Sequence, residues 1–314
     1  MNVQAEILAE ILTPVQMLKL KKKLNAVREI SVGEFIKEFI QRKSTICKES
    51  YINRSVKPFT NKLTKKFGSE LPINSISKRD AEDLIFENSR TDYSRILMKR
   101  VGSSMWNWGI EREYLTQNIF SHIKLPKPFK TVPIVIPNDV LKKIVTNLPR
   151  HLQDIYIILR NTGLRVSELI HLKWENVSLK ERIIKVGSKD FSPKSRRIRL
   201  VPINKTVFGI LSKMCNGNNI KKTAYVFSKS NGFPYTVSYI SKRFKKQCRL
   251  LNLAESYHLH CLRSTFGSEL INKSVSIYTI SKLLGHSSTK VTEEHYLTGC
   301  IEEIKSAIEN IDFN

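Results

Sequence analysis

The sequence predicts a mainly helical α+β protein: two globular units and a single small sheet. Three observations carry that expectation. Apolar residues recur at helical spacing through most of the 314 residues, a length that suits two units each burying its own core. Four prolines, Pro126, Pro128, Pro133 and Pro137, cluster between these helical stretches and predict an extended connection. Only residues 183–186 and 197–201 alternate well enough to form strands.

Taken in order, residues 1–30 hold two short amphipathic patterns and form a helical extension. Val3, Ile7, Leu8 and Ile11 make the first; Met17, Leu20, Leu24 and Val27 make the second, after a Thr13-Pro14 helix start. Residues 31–125 read as a four-helix module. Phe35, Ile36, Phe39 and Ile40 line one helix face, and a second helix runs from Tyr51 to Phe67 and stops at Gly68. Ser77 caps a short helix through Ile85, and Tyr93 to Tyr114 form a longer one. Trp106 and Trp108 on that last helix cannot face one core together. Either the helix is buried on two sides or one indole is exposed.

Residues 126–137 form the proline-rich linker and 138–314 the second unit. Asn138 caps its first helix, and the apolar run Leu152 to Leu159 marks a core helix. Asn161 to Arg165 interrupt that helix, with Gly163 allowing a sharp turn, and another helix starts at Val166. The two strands enclose a turn-rich hairpin, Gly187 to Lys194, and helices resume from Asn204. Ile301, Ile304, Ile308 and Ile311 form a closing apolar seam that needs a partner in this chain or another.

Charge narrows the function. With 53 Lys+Arg against 28 Asp+Glu, the formal net charge is +25, and such a surface attracts a polyanion, nucleic acid above all. Cys47, Cys215, Cys248, Cys261 and Cys300 are scattered without Cys-x-x-Cys spacing, which predicts reduced thiols in the cytoplasm, not a disulfide frame or a metal site. The N-terminus has no secretory pattern and the chain no long uncharged apolar run, so no membrane insertion is expected.

Six residues share one chemical logic: Arg165, Lys194, His260, Arg263, His286 and Tyr296. A phosphodiester under attack concentrates charge on its nonbridging oxygens, and two guanidinium forks, Arg165 and Arg263, suit them. His260 and Arg263, three apart on a helix, project from one face. A tyrosine hydroxyl must lose its proton to become a nucleophile, which His260 can accept, while His286 can donate a hydrogen bond to the phosphate. Lys194, on the hairpin, suits protonation of the leaving 5′ oxygen. Each residue alone reads as an ordinary packed or surface side chain. The combination does not.

These residues resemble the tyrosine recombinases, or phage integrases. The stretch from Thr162 to Leu169 is similar to the family's first arginine box, with Glu168 as its acidic partner. His260-Cys261-Leu262-Arg263 resembles the His-x-x-Arg box, Leu284-Gly285-His286 the next, and Tyr296 the nucleophile. Lys194, eight residues before Pro202, matches the hairpin lysine, with Lys189 as the alternative. Ser264 departs from the pattern, standing where many members carry a second histidine; His258, Tyr257 and His295 match no motif position.

The resemblance implies an N-terminal core-binding (SAM-like) domain and a catalytic domain of the DNA breaking-rejoining type. It implies site-specific strand transfer through a 3′-phosphotyrosyl intermediate, with neither cofactor nor metal. The implied partner is double-stranded DNA, held by four protomers on two sites with accessory DNA-bending factors, for a mobile element or for resolving replicon dimers. Two other readings are a relaxing enzyme like the type IB topoisomerases and a catalytically silent DNA-binding regulator.

Overall fold

The computed structural model describes residue 13 and residues 28–127, 132–187, 191, 198–215, 221–286, 288, 289, 292 and 293. Lys189, Lys194, Tyr296, the 301–311 seam and most of the 1–30 extension lie outside the described residues. The chain divides into two compact units, Met1–Lys130 and Thr131–Asn314.

In the first unit, α1 (Val32–Ile46) starts at a capping box in which Ser31 Oγ accepts the Glu34 amide at 3.3 Å and the Glu34 carboxylate faces back to the Ser31 amide. The next helix begins at Glu49–Tyr51, widens to π geometry over Ile52–Val56 and continues as α2 (Lys57–Phe67). Pro58 explains the widening: it has no N–H to offer the preceding turn, so the regular ladder cannot run through it. Gly68 ends α2 at φ 79°. A Ser77–Asp80 capping box opens α3 (Lys78–Glu87), and Thr91 caps α4 (Asp92–Glu111).

Both tryptophans of α4 are buried, so the helix is covered on two sides. Trp108 packs on Phe35 and Phe39, with ring centroids at 5.3 and 5.6 Å. Trp106 meets Phe120 edge-on at 4.8 Å, because the chain after α4 folds back across its other face. Gly102 permits that approach, since a Cβ there would sit 2.7 Å from the Phe120 ring.

The second unit takes in the end of the proline-rich segment. Ile136 is buried and its amide donates to Thr265 Oγ1 at 2.9 Å. Helix α5 (Asn138–Thr146) differs from expectation at its start: Pro137 occupies the cap position, and its carbonyl accepts the Leu141 amide at 2.9 Å. Asn138 is therefore the first helical residue, and its side chain serves another purpose, accepting from Arg160 at 3.1 Å and donating to Glu269.

Helix α6 (Arg150–Thr162) buries Leu152, Ile155, Tyr156, Ile158 and Leu159, making it a core helix. It stops at Gly163, in the left-handed conformation at φ 62°, and α7 (Val166–Ile170) follows. The sheet has three antiparallel strands, one more than alternation showed: β1 (Val177–Ser178), β2 (Ile183–Val186) and β3 (Arg199–Pro202). A two-residue strand is too short for alternation to reveal. Ile184 pairs with Val201, and both turn into the core.

Four more helices complete the described part of this unit: α8 (Lys205–Cys215), α9 (Val237–Leu250), α10 (Cys261–Asn272) and α11 (Ile277–Leu284). Helix α10 packs on α6 and α11, bringing Thr162–Arg165 together with residues 261–286. Among the described residues, no helix is long and apolar enough to cross a membrane.

Candidate active site

The end of α11 gathers three arginines. Ser276 caps the start of this helix, and Gly285 closes it in the left-handed conformation at φ 66°. The last carbonyls of a helix lack intrahelical partners and carry the negative end of its dipole, so they attract cations. Here Leu283 O accepts Arg199 Nε at 2.8 Å, Leu284 O accepts Arg263 Nη2, and Gly285 O accepts Arg165 Nη2 at 3.2 Å. A side chain at Gly285 would crowd this gathering, since its Cβ would lie 3.0 Å from Arg199 Cδ.

Glu168 binds two of the same arginines from the other side. It sits in the first turn of α7, where its carboxylate accepts the Arg165 amide at 2.8 Å and Arg165 Nη1 at 2.9 Å. Arg199 adds a fork, with Nη1 and Nη2 at 3.1 and 2.7 Å. Side-chain exposure falls from 21% for Arg165 to 8% for Arg199 and 1% for Glu168. Burial alone pushes the Glu168 carboxyl up, but the hydrogen bonds and charge of Arg199, with those of Arg165, hold it below the usual carboxylate range.

Arg263 locks the two boxes together. From the first turn of α10 it reaches back to Gly163 O at 2.6 Å and across to Leu284 O. Gly163 permits this because only a residue without a side chain fits: its Cβ would lie 2.4 Å from the Phe266 ring. His260, exposed, stands just before α10. Arg165, His260 and Arg263 line one groove of about 870 Å³, with Ser241, Lys242 and Lys245 from α9 on its rim.

His286 follows Gly285, and its amide donates to Ser281 O at 3.0 Å. Its Nδ1 lies 2.8 Å from the hydroxyl of Thr292, which is fully buried and fixes the ring. Lys194, its alternative Lys189 and Tyr296 lie outside the described residues. Within the hairpin, Phe191 stacks on His171, centroids 4.8 Å apart. His258 approaches the buried Cys261 thiol at 3.1 Å.

Sequence reading passed over Arg199, Thr292 and the carbonyls of Gly163, Leu283 and Leu284. A signal for Arg199 was present. In Arg199-Leu200-Val201-Pro202 the alternation puts Leu200 outside, 58% exposed, and Arg199 on the buried face with Val201. A charge on the inner face of a strand needs a partner, and Glu168 is that partner. The carbonyls left no signal, because main-chain atoms carry no residue identity.

Known proteins resemble this chain in sequence and in fold. Tyrosine recombinase XerC of Xylella fastidiosa (strain M23) is 25% identical over 214 residues, 66% of this chain and 71% of that protein. Tyrosine recombinase XerA of Pyrococcus horikoshii is 32% identical over 202 residues, covering 58% of this chain and 65% of that protein. The Tn1549 transposon integrase, solved in complex with a circular intermediate DNA, superposes with a TM-score of 0.73 at 18% identity, over 90% of this chain and 100% of that one. A lambda integrase dimer bound to a core site gives 0.71 at 16% identity, over 94% and 85%. The class these likenesses define is the tyrosine-type site-specific recombinase. The model of the phage integrase family matches residues 135–299, more than half of the chain, and the chain belongs to that family.

Proposed function

We propose that this recombinase cleaves DNA by attack of Tyr296 on a phosphodiester, held by Arg165 and Arg263, in the groove beside His260. The tyrosyl oxygen bonds to phosphorus, its proton passes to His260, and the bond to the 5′ oxygen breaks. Lys194 gives that leaving oxygen a proton, and His286 donates a hydrogen bond to a nonbridging oxygen. A 5′ hydroxyl from a partner strand then attacks the 3′-phosphotyrosyl bond, reversing each transfer. The energy of the phosphodiester stays in the covalent link, so the two steps need no nucleotide hydrolysis.

The observation that carries this reading is the shared groove. Arg165 and Arg263 belong to separate boxes, yet both line one cavity with His260, and both are fastened to the turn that precedes His286. Guanidinium groups held this way need little reorganisation when charge develops on the phosphate.

The substrate is double-stranded DNA, consistent with the +25 formal charge. By analogy with lambda integrase, solved as a dimer on a core site and as a tetramer on a Holliday junction, four protomers act on two sites. The 301–311 seam is the segment exchanged between neighbours, accessory factors bend the DNA, and the enzyme acts in the cytoplasm for a mobile element or in resolving replicon dimers. Suicide DNA carrying the recombination site tests the chemistry. The wild type forms a denaturant-stable protein–DNA adduct and Tyr296→Phe forms none; an adduct from Tyr296→Phe refutes the nucleophile.

A further inference from the structure

We infer that Arg199 is a positioning residue for strand cleavage, one that keeps the positive charge of Arg165 available to the phosphate. The inference rests on the reading that Arg165 grips the scissile phosphate. Arg199 does not line the groove; it lies behind it, 8% exposed, with its fork on Glu168 and its Nε on Leu283 O. Its effect therefore passes through other groups.

Charge decides what that effect is. The cluster of Arg165, Glu168 and Arg199 carries a net single positive charge, two guanidinium groups against one carboxylate. Glu168 Oε1 is shared between the two arginines, at 2.9 Å from Arg165 and 3.1 Å from Arg199, while Oε2 lies 2.7 Å from Arg199 and accepts the Arg165 amide. Without Arg199, a carboxylate buried this deeply keeps only Arg165 as counter-charge, and the cluster becomes neutral. A neutral cluster draws Arg165 towards Glu168 and offers little to a phosphate. Arg199 also bonds the carbonyl of Leu283, so its loss loosens the turn that carries Gly285 and His286.

The experiment uses the full chain on suicide DNA and begins with the wild type and Tyr296→Phe. Absence of a Tyr296-dependent adduct there refutes the catalytic reading, before Arg199 is touched. With the adduct in hand, Arg199→Gln is expected to slow its formation about 100-fold while DNA affinity changes less than about twofold. Added to Arg165→Ala with Glu168→Gln, a background that leaves no buried carboxylate without a counter-charge, Arg199→Gln costs less than about tenfold further, because most of its effect passes through Arg165 and only the Leu283 contact remains to be lost. A scissile methylphosphonate, which lacks one negative charge, narrows the gap between wild type and Arg199→Gln to less than about tenfold.

The paired variant Glu168→Gln with Arg199→Gln removes both buried charges and restores the single positive charge. It recovers adduct formation to within about tenfold of wild type and carries the test if the single variant fails to fold. A wild-type rate in Arg199→Gln, a full further loss on top of Arg165→Ala with Glu168→Gln, an unchanged gap on the methylphosphonate, or a folded pair that recovers nothing would each overturn the inference.

Discussion

Arg165 and Arg263, the arginines of two separate sequence boxes, are fastened to neighbouring carbonyls, Gly285 and Leu284, at the end of one helix. One turn thus sets the spacing of both groups. Gly285→Ala should disturb them together: alanine strains the φ of 66° and presses on Arg199. The expected loss is about 1 kcal/mol or more of stability, read by urea unfolding, with a larger fall in adduct rate. A variant with unchanged cleavage would show that the turn does not set the spacing.

Glu168 should make the protein sensitive to acid. Its carboxyl is held below the usual range of about 4.5 once folded, so the stabilisation is present above that pH and drains away as pH falls through the lower, folded value. Glu168→Gln removes the charge and leaves two arginines facing each other. Unfolding at pH 7 should show a loss of about 3–5 kcal/mol, with a flatter dependence on pH below about 4.5.

Thr292 holds the His286 ring, and its hydroxyl is the atom that matters. Thr292→Val keeps the shape but loses that partner, and adduct formation should slow about tenfold while Thr292→Ser stays near wild type. Equal rates in valine and serine variants would remove Thr292 from the account.

In the first unit, Gly102→Ala puts a methyl group against the Phe120 ring. Overpacking of this kind should cost about 1–3 kcal/mol, seen as a lower midpoint in thermal unfolding. Gly209→Ala, inside α8 of the second unit where a Cβ meets nothing within 4 Å, is the contrasting case and should stabilise by about 0.5–1 kcal/mol through helix propensity.

Binding to the recombination site should weaken steeply with salt. If six or more phosphates are contacted, affinity falls about 1000-fold or more between 50 and 200 mM salt. A shallow slope in a salt titration would mean that much of the +25 charge faces away from the DNA.

Much of this was legible in the sequence, for physical reasons that differ by element. Side-chain periodicity announces α1, α2, α4 and α6 because each buries one or two apolar faces, and Gly68 and Gly163 mark ends that need a positive φ. Ser77 reveals its helix because a cap is a local hydrogen bond. Asn138 misled for a related reason: it has the chemistry of a cap, but a tertiary partner, Arg160, takes its side chain. The box residues Arg165, His260 and Arg263 are readable as a set, since phosphate chemistry demands those groups. What brings them into one groove was not readable, because it runs through the main chain of residues 163 and 283–285; the strand arginine shows that it needs a partner but not which element supplies it.

The three carbonyls that close α11 have a consequence for how such a chain drifts. Anchoring by the main chain is indifferent to which side chain sits at 283 or 284, provided the turn survives. Leucines there can be exchanged for other apolar residues over long divergence while the guanidinium groups stay in place. A scan that replaces side chains one at a time will score these positions as ordinary packing. An ester in place of the peptide bond between Leu284 and Gly285 weakens the Leu284 carbonyl as an acceptor and also removes the Gly285 amide bonded to Lys282 O; the part of its effect that vanishes in Arg263→Ala is the anchor that such a scan passes over.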